Sequence, residues 1–150
     1  MSLIRGQIAN FGEDGRVSIP IDVLRAVRWW EATSFDVVAE LCRAGFIRIY
    51  LASVAEPLIA ALLSDISDSP DQSTSEIASV VSDRYRPLKL YGDGRLRLTK
   101  EVCSILGIRL GEHATVFVQP FNSWLEIMSL QFRADRLLTT ASSTSIKVPS

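Results

Sequence analysis

The sequence predicts a mainly β chain with short helices, built as two tandem β-β-α-β-β modules that close into one barrel. Three observations predict it: an internal repeat, short segments in which apolar and polar residues alternate, and turn residues at matching places in the two copies. Gly12-Glu13-Asp14-Gly15-Arg16-Val17-Ser18-Ile19 recurs as Tyr91-Gly92-Asp93-Gly94-Arg95-Leu96-Arg97-Leu98, at an offset of 79 residues. Gly45-Phe46-Ile47-Arg48-Ile49-Tyr50 is echoed by Ser123-Trp124-Leu125-Glu126-Ile127-Met128 at an offset of 78. Two matches in the same order at nearly one offset mark a duplication. The one-residue slip between them is expected in the loop-rich middle of the module, where insertions are tolerated.

Each copy opens on an alternating segment, Gln7–Phe11 or Pro87–Tyr91, which reads as a strand. An Asp-Gly turn leads into a second short strand, Arg16–Ile19 or Arg95–Leu98. A short helix follows. Pro20 suits its first position in copy one, Thr99 can cap it in copy two, and Gly107 can end it there. Val23, Leu24 and Val27, and in the second copy Val102, Ile105 and Leu106, form a buried stripe. A hairpin closes each unit: Phe35–Cys42 into Phe46–Leu51, and Ala114–Gln119 into Trp124–Met128, all rich in the residues of half-buried strands.

A longer helix follows each unit, near Val54–Asp65 and Leu130–Thr140. Leu58, Leu62 and Ile66 line one face of the first, and Phe132, Leu137 and Leu138 supply apolar contacts in the second. The division is a first module over 5–52, a helix and acidic linker over 53–83, a second module over 84–129, a helix over 130–140 and a tail over 141–150. A unit of about fifty residues with four short strands buries little surface alone. Two such units sharing a barrel remove each other's exposed edges, which predicts one pseudo-twofold domain.

Hydrophobic residues make up 47% of the chain and charged ones 22%, the balance of a globular protein. No basic N-terminal stretch followed by a long apolar run marks a secretory signal, and no apolar stretch reaches membrane-spanning length. Two distant cysteines, Cys42 and Cys103, fit a reducing cytoplasm, with both thiols unpaired and buried. Net charge is −1, but its distribution is uneven: residues 64–83 hold five acids and no base, leaving 16 bases against 12 acids elsewhere. Thirteen of the bases are arginine, which suits planar contacts with phosphates and base edges. That permits a nucleic-acid partner without requiring one, because solvated surface arginine has the same composition.

Gly15-Arg16-Val17-Ser18-Ile19-Pro20 resembles the Gly-Arg-x-x-[Ile/Val]-Pro signature of the AbrB and MraZ transcriptional regulators. In copy two, Leu98-Thr99-Lys100-Glu101-Val102 through Ile105-Leu106-Gly107-Ile108 resembles the helix that follows it in that family. Two modules in a chain of this length, each followed by a helix, look specifically like MraZ, and the resemblance covers roughly residues 5–138. It implies a swapped-hairpin barrel, a homo-oligomer such as a ring, and duplex DNA bound through the Gly-Arg loops at the nucleoid. The chain departs from the family pattern in three places. Gly12 and Tyr91 stand where MraZ proteins carry Asp, Leu24 and Cys103 where AbrB-like helices carry Arg, and Thr99 where the signature has Pro.

The candidate DNA-contacting residues are therefore Gly15, Arg16, Gly94 and Arg95 in the turns, with Arg97, Lys100, Arg25 and Arg28 around them. Glycine lets backbone approach a phosphate, and the arginines supply charge. Trp29 and Trp30 read as core or subunit-interface residues. No enzyme assembles from this sequence: His113 is the sole histidine, and there is no P-loop, nucleophile elbow or zinc spacing. No cofactor, metal, membrane or small-molecule substrate is expected. The competing reading is an oligomeric scaffold of the same fold without DNA binding. A regulator would gather its arginines on one face, and a scaffold would scatter them.

Overall fold

The computed structural model describes residues 6–27, 36–67 and 81–147. In chain order the elements are β1 (Gln7–Phe11), β2 (Arg16–Ser18), α1 (Ile21–Ala26), β3 (Asp36–Arg43), β4 (Phe46–Leu51), α2 (Ala52–Ser67), β5 (Tyr85–Leu90), β6 (Arg95–Arg97), α3 (Lys100–Leu106), β7 (Ala114–Pro120), β8 (Trp124–Ser129) and α4 (Leu130–Lys147). All eight strands belong to one antiparallel barrel, in the order β1-β2-β6-β5-β3-β4-β8-β7, with β7 returning to β1.

Alternation decides what fills it. Val37 and Ala39, Ile47 and Ile49, Val116 and Val118, and Leu125 and Ile127 all point inward, where they meet Phe11, Val17 and Leu96. Between them, Glu40, Arg48, Phe117 and Glu126 lie on the outer face. Helices α1 and α3 add Val23, Leu24, Val102, Cys103 and Leu106 to the same core.

Closure divides evenly between local and distant pairings. β1–β2, β3–β4, β5–β6 and β7–β8 join neighbours in sequence. The other four pairings, β1–β7, β3–β5, β2–β6 and β4–β8, join the N-terminal half of the chain to the C-terminal half. Neither half can satisfy its strand edges alone. None of the described helices is long and apolar enough to cross a membrane.

Several local expectations change. Pro20 occupies the N-cap of α1 rather than its first helical residue, and the helix begins at Ile21. Thr99 does cap α3, its Oγ1 accepting the Val102 N–H at 3.4 Å, and Gly107 ends that helix in the left-handed conformation. Helix α4 continues to Lys147 instead of giving way to a tail after residue 140. Of its apolar residues, Phe132 stacks on Phe46 with ring centroids 5.1 Å apart. Leu137 and Leu138 are exposed rather than packed, as is Leu58 on α2. The one-residue slip lies in neither long connection. It is a register shift in the β3–β4 hairpin between Leu41 and Arg43, where the β7–β8 hairpin pairs without interruption. Arg28, Trp29 and Trp30 lie outside the described residues.

Candidate nucleic-acid interface

The two Asp-Gly-Arg segments form matching turns. The Gly12 N–H donates to the Arg16 carbonyl and the Tyr91 N–H to the Arg95 carbonyl, while Gly15 and Gly94 donate back to Gly12 and Tyr91. Gly15 at φ 80° and Gly94 at φ 85° hold the left-handed conformation that a side chain would strain. Asp14 and Asp93 each accept the N–H two residues on, from Arg16 and Arg95, at 3.2 Å. Those carboxylates act in the turn itself, as an aspartate does there. The turns also interlock: the Ile19 N–H donates to the Gly94 carbonyl and the Leu98 N–H to the Gly15 carbonyl, at 3.0 and 2.9 Å.

The side chains break this correspondence. Arg95 is half exposed and folds back onto the Asp93 of its own turn, Nε to Oδ2 3.4 Å. Arg16 instead reaches across β6 to Tyr91, its guanidinium carbon 4.4 Å from the ring centroid. That contact contributes on the order of 0.5–1 kcal/mol at a surface site and fixes the direction of the planar head. The Arg16 Nε is buried with no acceptor among the described residues.

Register brings further bases beside it. Arg16 stands directly opposite Arg97, and Arg97 directly opposite Lys89, on the outer face of β2, β6 and β5. Like charges in facing positions destabilise a sheet. The ion pairs among the described residues include none of Arg16, Lys89, Arg97 or Lys100. Lys89, Arg97 and Lys100 line a cleft of about 500 Å³ whose opposite wall is the Gly15 turn with Leu110 and Gly111. Asp36, Glu13 and Asp14 also reach it, Asp36 standing directly opposite Lys89 in the β3–β5 register. Asp14 is committed to the Arg16 N–H, and Glu13 to His113 Nε2 at 3.1 Å.

Of the residues predicted from sequence, Gly15, Arg16, Arg97 and Lys100 therefore come together. Arg25 does not join them: it is exposed on α1, which packs by Leu24 against the other turn at Gly94. Lys89 and Tyr91 were missed. Lys89 was legible only as the outward residue of an alternating strand, and its apposition to Arg97 needs the β5–β6 register.

A second polar constellation lies elsewhere on the outer face, and its burial was not foreseen. Tyr85, Glu40, Arg48, Glu126 and Gln119 form one row across β5, β3, β4, β8 and β7. Glu40 and Glu126 are nearly inaccessible, at 5% and 2% exposure. Glu40 accepts from the Tyr85 hydroxyl at 3.0 Å and pairs with Arg84 at 3.3 Å. Glu126 holds Arg48 at 3.2 Å and Arg136 of α4 at 3.3 Å. Burial, then the bond to Glu40, pushes the Tyr85 hydroxyl up to about 12.

Both cysteines are unpaired, but only Cys103 is buried; Cys42 is half-buried beside Glu40. Burial and the Glu40 carboxylate push the Cys42 thiol up to about 11. A raised value keeps the thiol protonated, so native Cys42 is expected to alkylate at pH 8 at least tenfold more slowly than in denaturant. Its rate should climb as the pH approaches 11. Timed alkylation read by mass spectrometry checks this, and labelling of native Cys42 as fast as of the unfolded chain would refute it. Among the described residues, no group of three or more His, Cys, Asp and Glu is arranged to hold a metal ion. No protein-family model matches the chain, and no curated protein matches it in sequence.

Proposed function

We propose that this protein is a DNA-binding transcriptional regulator of the AbrB/MraZ type, a barrel of swapped hairpins that contacts duplex DNA around its two Asp-Gly-Arg turns. The run of facing cations Arg16–Arg97–Lys89, in which Arg97 has a base on either side and only Lys89 faces an acid, Asp36, carries the reading. A sheet keeps such a run at a cost to stability, and a polyanionic partner offsets that cost. The pairing of β1 with β7 and of β5 with β3 across the halves supports the swapped-hairpin part of the reading. Self-association belongs to the same proposal and is supported by the exposure of Leu137 and Leu138, at 51% and 67%, close together on α4.

One barrel offers few phosphate contacts, so its binding is weak and steeply dependent on salt. Replacing Arg16 and Arg95 together by Ala should leave the fold intact, because Arg95 is half exposed and Arg16 gives up only its contact with the Tyr91 ring, on the order of 0.5–1 kcal/mol. The double variant is expected to bind a 30-bp duplex at least fivefold more weakly at low salt, with a shallower salt dependence. Fluorescence anisotropy over a salt series reads both. An unchanged affinity and slope would remove the turns from the contact surface. A parent protein that binds no duplex even at low salt would leave the scaffold reading in place.

A further inference from the structure

The repeat makes an internal comparison available. Under the offset of 79, Lys89 corresponds to Asn10, Arg97 to Ser18, Lys100 to Ile21 and Tyr91 to Gly12. Every base lining the cleft beside Gly15 has an uncharged counterpart beside Gly94. The turn backbones match, yet the row of Lys89, Arg97 and Lys100 has no charged equivalent beside Gly94, where the bases are Arg95 and, on α1, Arg25. Arg95, the base that both turns keep, is neutralised by Asp93 at 3.4 Å, whereas its counterpart Arg16 lies against Tyr91.

We infer that the barrel grips the phosphate backbone on one side, in the cleft between the Gly15 turn and β5–β6, with Lys89, Arg97 and Lys100 as the binding groups. Arg16 borders the site, and Tyr91 is its positioning residue. This rests on the DNA-binding reading above and narrows it: the first turn supplies the wall, the second half of the chain supplies the charge, and the turn at Gly94 is largely spectator. Three features fit a phosphodiester. The cleft is open to solvent, so a continuous strand can cross it. Its bases lie on neighbouring strands, where Arg97 stands beside both Arg16 and Lys89. Arg97 faces a base on either side, and the one acid in that row, Asp36, lies opposite Lys89 on β3, so a phosphate between Arg97 and Arg16 displaces no facing carboxylate and releases counter-ions.

The test compares single variants of the full-length protein binding a labelled 30-bp duplex by anisotropy, between about 50 and 200 mM salt. Lys89→Ala, Arg97→Ala and Lys100→Ala are each expected to weaken binding three- to tenfold and to lower the salt slope by about 0.9 for each phosphate left without its cation. Arg95→Ala is expected to cost clearly less affinity than Arg97→Ala, and Arg25→Ala to change it less than twofold, so the weaker binding of the Arg16/Arg95 double variant comes mainly from Arg16. Tyr91→Ala should reproduce much of the Arg16→Ala effect, and Tyr91→Phe should restore binding, because the ring face rather than the hydroxyl holds the guanidinium. Ser18→Arg combined with Asn10→Lys rebuilds the missing row beside Gly94 and should raise affinity severalfold. Equal losses of affinity at Arg95 and Arg97, or no gain from the rebuilt row, would overturn the one-sided site while leaving DNA binding intact. No binding by the parent would overturn both.

Discussion

Severing the chain between residues 68 and 80 is expected to leave one folded barrel of two fragments, whereas either fragment made alone does not fold. Half of the strand pairings that close the barrel run between the halves: β1–β7, β2–β6, β3–β5 and β4–β8. A lone N-terminal fragment would expose Phe11, Val17, Ile47 and Ile49, all fully buried in the intact protein, along four strands with open edges. It could close only on a second copy of itself. The β4–β8 seam opposes that, because Arg48 faces Glu126 there and the two correspond under the offset of 78. A homodimer of N-terminal halves would set Arg48 against Arg48, and one of C-terminal halves would bury Glu126 against Glu126. Each fragment alone should therefore show no cooperative thermal transition, and an equimolar mixture should recover one. Circular dichroism melts and size-exclusion chromatography of the separate and mixed fragments decide it. A C-terminal fragment that melts cooperatively by itself would refute the argument.

Replacing Glu126 by Gln is expected to be the costliest of the shape-preserving changes, at about 3 kcal/mol. The residue is 2% exposed and its two oxygens hold Arg48 at 3.2 Å and Arg136 at 3.3 Å. Removing its charge leaves two guanidiniums facing each other over an apolar surface that includes Phe46. The cost stays near the lower end for a broken buried pair, because both arginines keep some access to water, with side chains 40% and 46% exposed. For a chain of this size the melting temperature should fall by roughly 10 °C. Exchanging the charges, R48E with E126R, should recover only part of that stability. Position 48 also lies opposite Glu40, so a carboxylate there meets a second one in the same row. Thermal melts of the two single variants and the double variant measure the coupling. Full recovery in the exchanged pair would show that Glu40 and Arg136 do not set the direction of the pair.

The local grammar was open to reading before any fold was known. Asp-Gly at 14–15 and 93–94 dictates the turns, since a left-handed residue is needed and the preceding carboxylate caps the next strand's N–H. Alternation in Val-Phe-Val and Leu-Glu-Ile shows which side chains enter the core, but a period of two identifies a face and not a partner strand. That is why nothing in the sequence singles out Glu40 or Glu126. Glu40 and Glu126 become inaccessible only because register surrounds them with Arg48, Tyr50, Tyr85 and Trp124, and because α2 and α4 lie against the outer face of the hairpins. The candidate interface divides in the same way. Gly15, Arg16, Arg97 and Lys100 were legible from the repeated motif, and the repeat even held the clue that Asn10, Ser18 and Ile21 lack charge where Lys89, Arg97 and Lys100 have it.

By itself, then, the amino-acid sequence determined the strands, the two turns, the inward residues and the existence of two related halves. These follow from φ preferences, alternation and capping, all of which act within a few residues. The tertiary structure alone decided that β1 pairs with β7 and β5 with β3, that Arg16 lies on Tyr91 while Arg95 is taken by Asp93, and that Lys89, Arg97 and Lys100 share one cleft. The strand pairings and the cleft depend on which residues, distant in sequence, stand opposite one another. Strand register is set when the whole barrel closes around its shared core, where a slip of one residue would turn every inward side chain out to water.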